Sequence, residues 1–350
     1  MSESAYLIGP NGYGAYRYEM RGGTVHVGEP VEAADAILAP GFVDIHIHGA
    51  FGTDFMSATR AEMDDLGSAL GDIGYETYLP TTVTASPEAV LDALSNLPVS
   101  LMVGGFHLEG PFISPDFPGA QPPSAILDPP AVGSAWDPVL EDPRLRVITV
   151  APERPNALPL IQRLSARGVI VSMGHTNCTF AEGQRAVEAG ARHTTHTYNA
   201  MRPLHHREAG MVGFALSSAS VTAELIYDRV HVCPEAAGLL IQCKGADGVI
   251  AVSDSTLASG LPPGQTIDMW GLVCVTSRGQ IRLKSNGALA GSAITLLDAF
   301  RNLAADFGPE FAMRATSLNP RRALRIATPP AVWSVFDLDL NLVKVHHLAC

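Results

Sequence analysis

No two cysteines in this 350-residue chain are spaced as a Cys-x-x-Cys motif. The five that occur, Cys178, Cys233, Cys243, Cys274 and Cys350, are odd in number and scattered. The pattern argues against a zinc knot or a disulfide framework and fits reduced thiols, with Cys350 expected to be an exposed one. Basic residues are also scarce: 23 Lys and Arg stand against 35 Asp and Glu, for a net charge of -12. No basic cluster interleaved with aromatics occurs, so nucleic acid and anionic membrane surfaces are poor partners, and an anionic ligand needs a local basic pocket. No run approaches the roughly 18 to 20 apolar residues of a membrane span. Residues 1–5 do not form a basic stretch leading into an apolar one, so the expected compartment is the cytoplasm. Neither Gly-x-x-x-x-Gly-Lys-Ser/Thr nor a strand-linked Gly-x-Gly-x-x-Gly is present, which leaves a nucleotide fold unsupported. The absence of Gly-x-Ser-x-Gly argues against an activated serine in the same way.

What the chain does contain is 47% hydrophobic and 17% charged residues, enough to bury the core of a globular enzyme. Eight short apolar runs, at 37–47, 76–84, 101–108, 146–152, 169–173, 193–196, 223–227 and 249–252, alternate with helical stretches such as 182–189 and 293–304. Nearly continuous apolar strands separated by helices predict an α/β fold, a parallel sheet closed into a (β/α)8 TIM barrel. The two chain ends read differently. Short strand-like pieces around Tyr6, Tyr16, Val25, Val335 and Val343, punctuated by turn residues, predict a small β-sandwich domain built from 1–38 and 329–350 beside a catalytic barrel over 39–328. The Pro-rich stretch 111–130 follows the third strand, where an active-site loop is expected.

The polar residues at the predicted strand ends are not random: His46 and His48 end the first, Glu109 the third, His175 the fifth, His196 the sixth and Asp254 the eighth. Side chains alternate along a strand, so His46 and His48 share a face and can grip one ion. Each histidine alone could be a buried, hydrogen-bonded side chain, and Glu109 could cap a turn. Six such residues converging on one end of a barrel fit zinc, iron or manganese better. His107 and His193 read as structural or supporting residues. Asp254 is well placed to take a proton from metal-bound water, because a divalent metal lowers the pKa of that water and polarises a carbonyl. The chemistry that follows is amide hydrolysis.

Six segments together carry a family pattern: Pro40 to Gly49 with its His-x-His, His107-Leu108-Glu109-Gly110-Pro111-Phe112, Ala151-Pro152-Glu153, Gly174-His175-Thr176, Thr195-His196-Thr197-Tyr198-Asn199-Ala200-Met201, and Leu289-Ala290-Gly291-Ser292. On these residues the chain resembles the N-acetylglucosamine-6-phosphate deacetylases of the amidohydrolase superfamily. The resemblance implies a divalent metal, one or two per subunit: a principal ion on Glu109, His175 and His196, and a second on His46 and His48 with Glu109 bridging. It implies Asp254 as general acid/base and a small amino-sugar phosphate as substrate. Many other amidohydrolases bridge with a carboxylated lysine, but Lys244, Lys284 and Lys344 are the only lysines here and none ends a strand suitably. Asn199, Ala200 and His231 match substrate-contacting positions, and Arg207 matches an arginine that reaches the phosphate across a dimer interface, which implies a homodimer. The chain departs from the pattern at Gln121, where the family usually has a histidine that polarises the acetyl carbonyl, and at Arg229, where a glycine is usual. The rival expectations are a deacetylase for another N-acyl amino sugar, such as N-acetylgalactosamine 6-phosphate, or a sugar-phosphate binding protein without catalysis.

Overall fold

Gly41 divides the first predicted strand in two. A Cβ at this position would lie 2.7 Å from Cβ of Val332 and 2.8 Å from Cβ of Glu76, so only glycine lets the chain pass between them. On one side of it, Ala36–Pro40 pairs antiparallel with Val332–Asp337; on the other, Phe42–Ile47 pairs parallel with Tyr75–Pro80. The computed structural model describes residues 3–277 and 279–348, and Cys350 lies outside them.

Both chain ends meet in one six-stranded sheet, in the order Leu342–His347, Val332–Asp337, Ala36–Pro40, Glu3–Gly9, Gly12–Arg21, Thr24–Pro30. Alternating side chains from this sheet, including Ala5, Leu7, Tyr16, Tyr18 and Leu38, form their own buried cluster.

The larger part of the molecule is a curled parallel sheet with helices between its strands. Six strands pair in chain order and in parallel: Phe106–Glu109, Leu145–Val150, Ile170–Met173, His193–Thr194, Thr222–Ile226 and Val249–Val252. Single parallel bridges tie this sheet to the Phe42–Ile47/Tyr75–Pro80 pair at both edges, Thr81 to His107 on one and Ile47 to Ser255 on the other. Val43, Ile45, Leu79, Val147, Ile226, Ile250 and Val252 come from five of these strands and meet, with Leu324, in one buried cluster. Each such side chain contributes about 1.5–3 kcal/mol when fully buried.

Helices start where capping residues sit. Thr59 with Glu62, Thr179 with Glu182 and Thr295 with Asp298 form reciprocal capping boxes at Arg60–Asp72, Phe180–Ala189 and Leu296–Phe307. The segment after the last parallel strand departs from expectation. Thr266–Met269, Leu272–Ser277, Gln280–Leu283 and Leu289–Ser292 make a four-stranded antiparallel sheet that the periodicity did not announce, because its strands are short and mix exposed with half-buried residues. Among the described residues no helix is long and apolar enough to cross a membrane.

Candidate metal centre and active site

The C-terminal ends of the parallel strands deliver buried polar side chains to one place. His46 is the penultimate residue of Phe42–Ile47 and His48 follows that strand; Glu109 closes Phe106–Glu109; His175, His196 and Asp254 each stand two residues past their strands. These last three have φ of 46°, 30° and 47°. Left-handed backbone costs a non-glycine residue on the order of 1 kcal/mol or more, and such strain gathers where a site over-determines the chain.

Glu109 is the hub. Its Oε1 lies 3.3 Å from Nε2 of His46, 3.3 Å from Nε2 of His175 and 3.1 Å from Nε2 of His196. Its Oε2 lies 3.2 Å from Nε2 of His48. Asp254 completes the constellation, with Oδ1 3.3 Å from Nε2 of His48 and 3.5 Å from Nε2 of His46. Two triads have ligand atoms close enough to share an ion, His46/His48/Asp254 and Glu109/His175/His196, and all six residues are buried.

The protonation pattern tests whether a cation fits. Nδ1 of His175 lies 3.0 Å from the Phe117 carbonyl and Nδ1 of His48 lies 3.1 Å from the Thr81 carbonyl. A carbonyl only accepts, so both Nδ1 atoms carry hydrogen, which leaves Nε2 as the atom each ring can offer to a cation. The Nε2 atoms of His175 and His196 face each other at 3.1 Å beside a carboxylate, and Nε2 of His46 is buried without a hydrogen-bond partner. Converging lone pairs and carboxylates need positive charge among them, and the mixed imidazole and carboxylate set suits a divalent metal.

The electrostatics show the same demand for positive charge beside the two carboxylates. Burial opposes ionisation of Glu109, yet the His46, His175 and His196 rings outweigh it and hold the carboxyl well below its ordinary range. Burial likewise works against a charged His48, but Asp254 and Glu109 raise it to about 9. Asp254 is pulled down by His46 and His48 against its own desolvation.

The cleft above this centre has a volume of about 150 Å³ and opens to solvent. Gln121, Asn199, Ala200 and His231 all line it. Nδ1 of His231 lies 2.6 Å from Oδ2 of Asp228, which fixes its ring. Gln121 accepts a hydrogen bond from the Thr84 N–H at 2.7 Å and donates to Oε2 of Glu109 at 2.7 Å. Arg207 is not in the cleft; it is exposed, with Nη1 2.7 Å from Nε2 of His206. Arg229 also points elsewhere, forming a bidentate pair with Asp306 at 2.7 and 2.8 Å.

His107 is a supporting residue, bridging the Ile45 carbonyl at 3.1 Å and Oγ1 of Thr149 at 2.8 Å. Three further residues contribute, to which the sequence assigned no role. Trp270, in the turn between the first two strands of the unannounced antiparallel sheet, lines the cleft, packs edge-on to His48 and donates to buried Asp54 at 2.8 Å. Glu153 accepts from the Thr176 hydroxyl and the Asn177 N–H, which holds the loop after His175. Glu224 reaches the back of the His46 ring, and an acidic residue inside an apolar strand was the signal for it.

A model of the amidohydrolase family matches residues 37–328, a span that contains all six converging residues. The chain belongs to the amidohydrolase family. It is 38% identical over 331 residues to an N-acetylglucosamine-6-phosphate deacetylase of Lysinibacillus sphaericus, covering 91% of this chain and 84% of that one. An N-acetylgalactosamine-6-phosphate deacetylase of Escherichia coli O157:H7 is 33% identical over 302 residues, 83% of this chain and 78% of its own. Among solved structures, an N-acetyl-D-glucosamine-6-phosphate deacetylase of Mycobacterium smegmatis, an aspartate-to-alanine variant in complex with N-acetyl-D-glucosamine 6-phosphate, superposes with a TM-score of 0.89 at 31% identity, covering 99% of this chain and 98% of that one.

Proposed function

We propose that this protein is a metal-dependent amide hydrolase that converts N-acetyl-D-glucosamine 6-phosphate to D-glucosamine 6-phosphate and acetate. The observation that carries the reading is Glu109 set between four histidine Nε2 atoms, with Asp254 beside them, and with Glu109, His48, His175, His196 and Asp254 all lining one cleft. The relatives' shared activity on N-acetylated amino-sugar phosphates supports it.

In this reading Glu109, His175 and His196 would hold a principal divalent ion, and His46 and His48, with Glu109, would hold a second. When bound, the metal lowers the pKa of water and polarises the acetyl carbonyl. Asp254, kept ionised by His46 and His48, accepts the proton of the attacking water and delivers it to the amine nitrogen as the C–N bond breaks. Without that transfer the amine would have to leave as an anion. His231, its ring fixed by Asp228, contacts the sugar, and Asn199 and Ala200 meet the sugar phosphate. Gln121 keeps Glu109 in register.

Several finer readings belong with this one. The edge bridges support a closed (β/α)8 barrel over 39–328, with 1–38 and 329–350 forming the small β domain. Arg207 lies away from its own cleft, as expected of a residue that reaches a neighbouring subunit's substrate in a homodimer. Zinc, iron and manganese all suit the donor set, and the cytoplasm is the expected compartment.

The test is acetate release by metal-reconstituted protein from N-acetylglucosamine 6-phosphate, its C4 epimer and the unphosphorylated sugar. Turnover confined to the phosphorylated glucosamine derivative supports the reading. Faster turnover of the epimer favours the galactosamine reading, for which the Escherichia coli relative speaks. Binding without acetate release from any of the three leaves only a sugar-phosphate binding protein.

A further inference from the structure

Three of the four candidate ligand histidines are held from behind at Nδ1, by unequal partners, while Nδ1 of His196 is buried without one. His48 and His175 each set Nδ1 against a neutral backbone carbonyl, of Thr81 and Phe117. His46 alone sets Nδ1 against a carboxylate, Oε2 of Glu224, at 3.4 Å. The same oxygen accepts the backbone N–H of His196 at 3.3 Å. One carboxylate oxygen therefore touches a member of each triad, the ring of His46 in one and the backbone of His196 in the other.

Glu224 is an expensive residue to keep where it is. It is fully buried in the strand Thr222–Ile226, and its Oε1 has no hydrogen-bond partner. Among the described residues its ion pair is with the His46 ring, and no lysine or arginine neutralises it. A buried carboxylate with an unmet oxygen destabilises a fold, and an apolar side chain of similar size would cost less. Its geometry has a chemical use, however. A carboxylate at Nδ1 keeps the hydrogen there, turns Nε2 towards Glu109 and Asp254 as a lone pair, and makes the imidazole a stronger donor to a cation.

We propose that Glu224 is a positioning residue that couples the two ligand groups: it orients His46 as a ligand through Nδ1 and, through the same oxygen, fixes the backbone turn that presents His196. The inference rests on the reading of these histidines as metal ligands and extends it to a residue that touches neither metal nor substrate.

The experiment is titration of the metal-stripped full-length protein with Co2+, followed by visible absorption and calorimetry, for wild type, Glu224→Ala, Glu224→Gln and His46→Asn. His46→Asn identifies the binding step to which His46 contributes. Glu224→Ala is expected to weaken that same step by about 10- to 100-fold, the usual effect of removing a carboxylate behind a ligating histidine, and the other step by a smaller factor through the backbone turn at His196. Glu224→Gln, which keeps the shape and can still accept from Nδ1, should fall between wild type and alanine, and it keeps the test alive if the alanine variant folds poorly. Wild-type cobalt affinity at that step in both Glu224 variants overturns the proposal, as does an equal loss at every step, which would mark a general effect on the fold. A His46→Asn titration identical to wild type removes the underlying ligand reading instead, so the two failures are told apart.

Discussion

The Gln121 side-chain amide bridges the backbone and the metal centre: its carbonyl accepts from the Thr84 N–H, and its NH2 donates to Oε2 of Glu109, both at 2.7 Å. A backbone N–H can only donate, so Oε1 must face Thr84 and the NH2 group must face Glu109. The residue that departs from the family pattern is thus a brace for the carboxylate hub. Gln121→Ala should lower kcat by about 10- to 100-fold, the scale of lost support behind a metal ligand. Gln121→His should change kcat by less than about tenfold, because orienting Glu109 does not require a cation. Steady-state kinetics of the two variants checks this, and a gain of several orders of magnitude in the histidine variant would show that carbonyl polarisation is the missing function.

Glu109→Gln should cost the most. Four ring nitrogens lie within 3.3 Å of its carboxylate oxygens, and the amide would turn a donor towards some of them. Elemental analysis is expected to find little retained metal, and turnover should drop by about 10³-fold or more, roughly 4 kcal/mol of transition-state stabilisation.

Asp254→Asn separates proton transfer from metal binding. Turnover should fall by about 10²- to 10⁴-fold through loss of acid/base catalysis. Metal content should stay at the wild-type level if the carboxylate acts mainly on protons. Loss of metal in parallel with activity would instead place Asp254 among the ligands, a role its 3.3 Å approach to His48 permits.

His193 gives a pH signature unrelated to catalysis. Burial lowers its pKa from 6.5 to about 4, with Glu224 opposing, and its Nδ1 has no hydrogen-bond partner. Between these values the unfolded chain binds the proton that the folded chain refuses, so stability rises with pH across the window and is lost as pH falls from about 6.5 towards 4. The contribution is at most about 3 kcal/mol. Thermal melts of His193→Gln should show a flatter pH dependence than wild type over that range, and parallel curves would exclude the effect.

Arg229→Gly should leave kcat and KM within about twofold of wild type, because the guanidinium engages Asp306 rather than the cleft. The variant relieves a φ of 63° and gives up a partly exposed ion pair, two effects of about 1 kcal/mol or less that oppose each other. A large change in KM would mean that Arg229 reaches the substrate.

The nature of the candidate centre was legible in the chain because metal chemistry uses few residue types and strand ends are easy to find. The alternation of His46 and His48, the acid after an apolar strand at Glu109, and the histidines after the fifth and sixth strands are local patterns, and tertiary structure changed none of their relative placing. What local pattern could not express was contact between distant segments. Gly41 is an ordinary glycine until Val332, nearly 300 residues later, packs against its missing side chain. Trp270 sits in a turn of a short antiparallel sheet whose pattern is weak, and it becomes a wall of the cleft only when that sheet folds over His48. Glu224 reads as an anomaly in an apolar strand until His46, 178 residues away, turns its ring towards it. Periodicity and residue type determined which side chains the chain could offer to a metal, since those depend on neighbours in sequence. Only the packing of the curled sheet decided their distances, their hydrogen-bond partners and which carboxylate stands behind which ring, because these depend on strands far apart in sequence.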